Sequence, residues 1–328
     1  MKRNANGKKG FTLIELLMVV ALIAIVATLA VTKVGGIRES SERKVSLANQ
    51  KAVERAVEGY LAFSRKGIDR LDSLIDDEVP RASGEGFFDP QGTSMSATGP
   101  GFYMGPDDKG FPLPEIYADR SSGLTPALVN QVLTPYALSS AEVYALANHG
   151  YRYVLRHATR AASSPRDEYG ERGDDGAYLT DDKEAALDPA ASACIPRAFT
   201  NGMVVAAISP FTPMGREIYR SCGAQLLDTK RTAAEYRASA QEAIDEVKAA
   251  GGALLAFGLG DRATIVGDPQ GGLESAPFAT YPNRKYYSRY ILLFRVDTST
   301  RAGNIVFSGV IDPCGNTESA ARAAIKNL

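Results

Sequence analysis

Histidine is scarce in this chain of 328 residues, which has only His149 and His157. Neither histidine lies at a spacing typical of a metal site, and neither accompanies a Gly-x-Ser-x-Gly nucleophile turn. The sequence has no Walker motif, and the glycines between 251 and 260 lack the spacing of a dinucleotide-binding loop. We therefore predict no catalytic site, no cofactor and no metal site, and we exclude the motor ATPase of an assembly machine.

Cysteine is also scarce, and its odd number restricts what it can do. The three residues are Cys194, Cys222 and Cys314. No Cys-x-x-Cys pair is present, so neither a zinc site nor a thioredoxin-type site is indicated. In an exported domain one disulfide is chemically allowed and one thiol stays unpaired. Spacing does not decide between a Cys194–Cys222 bridge and a Cys222–Cys314 bridge, and burial of all three as free thiols is an equal alternative.

An excess of basic residues is absent as well. The formal net charge is -1, which gives no electrostatic basis for binding nucleic acid. Acidic residues are concentrated between 163 and 190, in a polar stretch that we interpret as an exposed loop. Oxygen-rich loops suit calcium, but this one lacks the EF-hand pattern, so a solvated loop is favoured over a calcium site.

The main feature that is present is an apolar run near the N-terminus. From Leu16 to Val31 every residue is apolar except Thr28. A helix rises about 1.5 Å per residue, so roughly 20 apolar residues cross the hydrocarbon core of a bilayer. Residues 11–34 are therefore predicted to form a transmembrane helix. Residues 1–10 before it contain four basic residues and no acidic one, which favours a cytoplasmic N-terminus.

Glu15 interrupts this run and requires a partner, because a carboxylate inside a membrane helix costs about 3 kcal/mol. Cleavage after Gly10 would place a new ammonium group on Phe11, just over one helical turn from Glu15. Between subunits staggered along an axis, the carboxylate would instead meet the ammonium group of a neighbour. An unpaired member of such a buried pair costs several kcal/mol, so the pair would set the register between subunits.

The stretch Lys8-Lys9-Gly10-Phe11-Thr12-Leu13-Ile14-Glu15-Leu16-Leu17 resembles the class III signal of type IV pilins and type II secretion pseudopilins. The resemblance implies cleavage after Gly10 by a prepilin peptidase, N-methylation of Phe11 and a role for Glu15 in assembly. It covers residues 1 to about 65 closely, and residues 1–10 would be a cleaved leader. Removal of that leader lowers the net charge of the side chains from -1 to -5.

Two other interpretations of the N-terminus remain open. An ordinary secretory signal has an apolar core of roughly 7–15 residues and a small-x-small cleavage site. The core here is longer, and the nearest site, Thr28-Leu29-Ala30, is weak. An uncleaved transmembrane anchor is the second alternative. Neither interpretation explains Glu15, so a prepilin-type signal is favoured.

Residues 35–66 are predicted to continue the helix as an amphipathic segment. Apolar residues recur there at intervals of three and four, namely Val45, Ala48, Ala52, Ala56 and Tyr60, with Val53, Val57 and Leu61 beside them. We expect this stripe to pack on a C-terminal antiparallel sheet, as the resemblance to pilins implies. Gly35 and Gly36 together disfavour helix by about 2 kcal/mol, so a hinge or a frayed turn is predicted at that point.

Residues 67–328 are predicted to form a periplasmic or extracellular globular domain of the α+β class, with large loop and helical insertions. The predicted helices are a short one over 71–79 and others at 126–133, 140–148, with Ser140 as an N-cap, 232–250 and 318–327. The predicted strands are 151–157, 203–209, 253–259, 263–266, 286–297 and 304–312. The last two strands are expected to form a hairpin.

Together these features predict a structural subunit of a type IV pilus or a type II secretion pseudopilus, and not an enzyme. The protein would cross the inner membrane once, with its C-terminal domain in the periplasm, and would later reach the filament or cell surface. The expected partners are the prepilin peptidase and methyltransferase, other pilin or pseudopilin subunits and the inner-membrane assembly platform. The alternative is a membrane-tethered envelope enzyme or ligand-binding module that uses the same signal.

Overall fold

A computed structural model of the protein describes residues 13–64, 66–80, 100–102, 124–159, 192–224, 226, 240–269, 272–279 and 287–326. Gly10, Phe11 and the acidic stretch 163–190 lie outside these residues. The side chains of Glu15 and Cys194 also lie outside the description, although their backbones belong to a helix and a strand.

The helices of this described part begin and end as follows: α1 Leu13–Ser64, α2 Pro126–Gln131, α3 Ser140–Asn148, α4 Pro213–Ser221, α5 Ala240–Ala249 and α6 Glu318–Lys326. α1 continues through Gly35 and Gly36, so the break predicted there is wrong for the structure. Within the described residues, no helix has an apolar stretch long enough to cross a membrane. Most of the predicted span falls on residues 21–34, whose side chains lie outside the description.

The described strands are β1 Leu71–Asp72, β2 Ile75–Pro80, β3 Pro100–Phe102, β4 Leu133–Ala137, β5 Tyr153–Thr159, β6 Ser192–Ala198, β7 Val204–Ile208, β8 Ala253–Gly258, β9 Ile291–Asp297 and β10 Asn304–Ile311. Eight of them form one sheet in the order β10-β9-β8-β1-β5-β6, and β7, flanked by β4, also pairs with β8. β2 and β3 form a separate two-stranded sheet. Helices and a mixed sheet confirm the α+β class.

The predicted antiparallel sheet is only partly correct, because one pair in it is parallel. β1 runs parallel to β5, with Leu71 opposite Val154, and antiparallel to β8. A parallel pair requires a long crossover connection, and the chain between β1 and β5 supplies one of about 80 residues. The predicted C-terminal hairpin is confirmed, since β9 pairs with β10 from Asp297–Asn304 to Ile291–Ile311.

Two short segments were assigned the wrong structure from the sequence. The run predicted as a helix over 71–79 forms β1 and β2, because short apolar runs fit the helical and the strand period equally well. The strand predicted at 263–266 is a set of turns with a single bridge from Val266 to Leu273. No element was predicted at the positions of α4, β3, β4 and β6.

Helix ends follow ordinary capping chemistry. Ser139, not the predicted Ser140, caps α3, and it forms a reciprocal capping box with Glu142. Thr125 and Thr212 cap α2 and α4, and each precedes a proline in the first helical turn. These caps place the short helices against a sheet whose centre is β8, where all six residues are buried.

Aromatic rings form the core over one side of the sheet. Phe257 of β8 contacts Phe294 of β9, which contacts Phe307 of β10, with ring centroids 6.3 and 5.8 Å apart. Phe199 and Tyr151 extend this row, with centroids 5.8 Å from Phe257 and 5.2 Å from Phe294. This row of packed rings holds β8, β9 and β10 together, and α1 packs against this part of the sheet.

Gly252 is the position where a methyl group should be most damaging. Its φ is 105°, and a Cβ atom would lie 1.9 Å from the carbonyl oxygen of Val296. We predict that Gly252→Ala lowers the free energy of unfolding by about 4 kcal/mol or more, since a buried clash adds to backbone strain. Gly202→Ala is the matched control, because Gly202 has a φ of 80° and open space around it, and should cost about 1–2 kcal/mol. Urea unfolding of the purified protein measures both, and equal losses would contradict the clash.

Candidate assembly interface

The first two turns of α1 present only apolar side chains among those that are described. Each is at least half exposed in the single chain: Leu13, Leu16, Leu17, Met18, Val19 and Val20. Contiguous exposed apolar surface of this kind marks an interaction site for membrane or protein. Glu15 lies within this segment of α1, and its side chain is outside the description.

The second half of α1 packs on the globular domain through part of the predicted apolar face. Its buried residues are Ser46, Gln50, Val53, Val57 and Tyr60. Of the predicted apolar residues, Val53, Val57 and Tyr60 are buried and Ala56 and Leu61 are half-buried, whereas Val45, Ala48 and Ala52 are exposed. The buried face also includes two polar residues, Ser46 and Gln50, which the apolar pattern did not indicate.

Both polar residues form hydrogen bonds to the domain, although the side-chain oxygen of Gln50 has no partner among the described residues. The hydroxyl of Tyr290 donates to the backbone carbonyl of Ser46 at 2.7 Å, and the two hydroxyl oxygens lie 3.2 Å apart. The side-chain amide of Gln50 donates to the carbonyl oxygen of Val310 at 2.7 Å and to that of Asn316 at 3.3 Å. α1 is therefore fixed to the start of β9 and the end of β10 by directional bonds.

A tight loop, residues 312–316, positions one of the acceptors for Gln50. The carboxylate of Asp312 accepts hydrogen bonds from the backbone amides of Cys314 and Asn316 at 2.9 and 2.8 Å. In return, the amide of Asp312 donates to the carbonyl of Asn316 at 3.0 Å. Burial raises the pKa of Asp312, although the bonds from Asn316 oppose that shift. The carbonyl of Asn316 is thus held rigidly where Gln50 reaches it.

Two further contacts attach α1 at the protein surface. The ammonium group of Lys51 lies 3.0 Å from the carboxylate of Glu318 in α6, and this contact is the main reason that the pKa of Glu318 is lowered. The side-chain amide of Asn49 donates to the carbonyl of Phe278 at 3.2 Å. These contacts flank the buried bonds of Gln50 on both sides.

The opposite face of α1 is exposed along the same segment. It presents Lys44, Val45, Ala48, Ala52, Arg55, Ala62 and Phe63. Val45 is 49% exposed and Phe63 is 79% exposed, which is unusual for large apolar side chains on a helix that is otherwise well packed.

Cys222 and Cys314 are both free and half-buried in the structure. Burial raises the pKa of both thiols, that of Cys314 to about 12, so neither is an activated thiolate. The backbone of Cys194 lies in β6 opposite His157, and its side chain is outside the description. The predicted disulfide therefore stays a prediction.

Comparison with known proteins bears on the N-terminal segment. The family described as the Prokaryotic N-terminal methylation motif matches residues 5–31. The chain carries a prepilin-type N-terminal signal. The match includes Gly10, Phe11 and Glu15, the residues on which the predicted resemblance rests, and it confirms that resemblance.

A relative of this chain is prepilin peptidase-dependent protein A of Clostridium perfringens. It is 43% identical to this chain over 61 residues, which are 19% of this chain and 42% of the relative. The chain therefore matches less than half of the relative's length. No solved structure matches the chain. This similarity and the family match together support a prepilin-type signal in the chain.

Sequence reasoning found the signal residues but missed those that attach α1 to the domain. Gln50 and Ser46 gave no signal, because an isolated polar residue on a helix is usually exposed. Tyr290 was included in a predicted strand without a role. Their partners lie about 245–265 residues away along the chain, so only the folded chain brings them together.

Gln50 is the residue of this interface whose loss should be most costly. Gln50→Leu removes the side-chain donor to the buried carbonyl of Val310 and one of the two donors to the carbonyl of Asn316, so we predict that the free energy of unfolding falls by about 2 kcal/mol. Ala52→Leu, on the exposed face of the same helix, should change it by less than about 0.5 kcal/mol. Chemical unfolding of the two purified variants makes the comparison. A loss below that of Ala52→Leu would show that the Gln50 bonds do not stabilise docking.

Proposed function

We propose that this protein is a structural subunit of a filament of the type IV pilus or type II secretion pseudopilus kind. A prepilin peptidase cleaves it after Gly10, the new N-terminus at Phe11 is methylated, and the subunit joins the filament through α1. The prepilin-type signal at residues 5–31 is the observation that carries this proposal.

The arrangement of α1 supports the proposal. One half of the helix is attached to the globular domain by Gln50, Ser46 and their partners, whereas its first turns expose apolar side chains. A subunit of this kind has its globular domain at one end of a helix whose other end exposes apolar side chains. Copies that bundle their helices bury the apolar surface and leave the globular domains outside, which is a filament with an apolar core.

Before assembly, the same apolar segment needs a membrane. We propose that residues 11–34 cross the inner membrane once, with the N-terminus in the cytoplasm and the globular domain in the periplasm. Four basic residues in the leader favour this orientation. The assembly platform of the inner membrane would then transfer the segment from lipid to the filament core, which is also apolar, at a small change in free energy.

Processing is tested by the mass of the N-terminal peptide of the protein isolated from membranes. We expect a peptide that begins at Phe11 and carries one added methyl group on its amine. An intact Met1 terminus would identify an uncleaved anchor, and a start near Val31 would identify a secreted protein. Either of these two results would overturn the proposed function.

Assembly is tested by Glu15→Ala in the full chain. We expect the variant to be cleaved and membrane-bound but to enter filaments at least about tenfold less than the wild type, because its neighbour's ammonium group loses its partner in an apolar core. Glu217→Ala is the control, since Glu217 is exposed and pairs with Arg220 of its own helix. Immunoblots of sheared filaments and of membranes give the two populations. Normal incorporation of the Glu15 variant would exclude the register role.

A further inference from the structure

A groove of about 540 Å³ opens beside α1, and we call it the Glu54 groove. Its walls are Glu54 of α1, Ser308 and Gly309 of the bulged part of β10, and Glu318 and Arg322 of α6. It lies on the flank of α1, between the buried face and the exposed face. The groove belongs to the folded domain, but it adjoins the surface that the proposed function assigns to assembly.

Glu54 is the one carboxylate in this groove that has no ion-pair partner among the described residues. Lys51, one turn before it, is engaged by Glu318 at 3.0 Å, and Arg322 binds the same carboxylate at 2.5 Å. Glu58 lies four residues after Glu54, where like charges repel. Burial raises the pKa of Glu54, and Glu58 and Glu318 raise it further, whereas Lys51 lowers it. Because Lys51 and Arg322 both bind Glu318, the partly buried carboxylate of Glu54 is the group in this groove that can accept an incoming cation.

Lys44 is the complementary group on the exposed face of α1. It is exposed and has no ion-pair partner among the described residues. No acidic residue lies three or four positions from it on the helix, whereas Arg55 on the same face has Glu58 three positions later. Lys44 is therefore the cation of this face that its own helix leaves unpaired.

One chain cannot join the two groups. Lys44 and Glu54 are ten residues apart on a continuous helix, which separates their backbones by about 15 Å along the axis. Lys44 also lies on the exposed face, whereas Glu54 lies on the flank. A contact between them must come from a second copy of the chain.

Resting on the proposed function, we propose that Lys44 of one copy enters the Glu54 groove of the next copy, with their α1 helices parallel and displaced by about 15 Å along the axis. Such a contact joins two different surfaces and is heterologous. After one contact the pair of copies still has one free Lys44 and one free groove, so the contact repeats without closing. An open repeat of this kind builds a filament and not a dimer.

Charge reversal in the full chain tests the contact. Lys44→Glu and Glu54→Lys should each reduce sheared filaments at least about tenfold, because like charges then meet at every contact. The double variant Lys44→Glu with Glu54→Lys should restore filaments, since the pair is re-formed with its charges exchanged. Arg55→Glu is the control, because it changes a charge on the same face and should leave filaments unchanged. Normal filaments from both single variants, or no rescue in the double variant, would overturn the contact.

A disulfide test separates this inference from the proposed function. Lys44→Cys combined with Glu54→Cys, in a Cys222→Ser background because Cys222 also lines the groove, should give disulfide-linked ladders from oxidised filaments. The two cysteines cannot bridge within one copy, since a disulfide requires Cα atoms within about 7 Å. Each single-cysteine variant in the same background should give no ladder. Filaments without ladders would overturn the contact alone, whereas absence of wild-type filaments would overturn the proposed function and the contact with it.

Discussion

The side-chain amide of Gln50 is the contact on which the rest of the arrangement depends. It connects the N-terminal helix to the end of β10 and to the loop that follows, 260 and 266 residues later in the chain. Hydrogen bonds of this kind stabilise folding only modestly, but an unsatisfied buried carbonyl is costly, so the helix has one favourable position on the domain. Apolar contacts of Val53 and Val57 alone would let it slide. Because the acceptors come from the C-terminal region, α1 can take this position only after nearly the whole chain is present.

The sheet that receives α1 is shaped by a branch at β8. The C-terminal end of this strand pairs with β1, and its middle pairs with β7, so two strands share one side of it. Gly258 makes this possible, since a Cβ atom there would lie 1.8 Å from the hydroxyl oxygen of Tyr287. That hydroxyl donates to the buried carboxylate of Asp72 in β1 at 2.9 Å. A close approach at one glycine thus allows a buried polar bond to hold the branch, and it leaves the other side of β8 to β9, the strand that leads to Tyr290 and α1.

Features that depend on residues close together in the chain were predicted correctly from the sequence, and features that depend on distant residues were not. Some elements depend on residues that are close in the chain, and these were predicted nearly at their observed positions. They are the helix over 140–148, the two strands of the C-terminal hairpin and the turn at Gly251-Gly252. The prepilin-type signal is also local, because an ordered run of residue types defines it. The buried face of α1 depends on Val310, Asn316 and Tyr290, so the apolar pattern of the helix alone located Val53, Val57 and Tyr60 but not Ser46 and Gln50. The parallel pairing of β1 with β5 was not predicted, because nothing in the two residues of β1 indicates a partner strand about 80 residues away.

The two halves of α1 carry different information for assembly. The described side chains of the first half are apolar and interchangeable, so their burial drives association but does not select one stagger over another. Register must come from the few charged groups, because an unpaired charge in a partly buried site is costly in every arrangement but one. The proposed contacts of Glu15 and of the Lys44–Glu54 pair would set this register at two positions along the helix. Two fixed points separated by about 40 residues determine both the displacement and the rotation of neighbouring copies, whereas a single point would leave the rotation free.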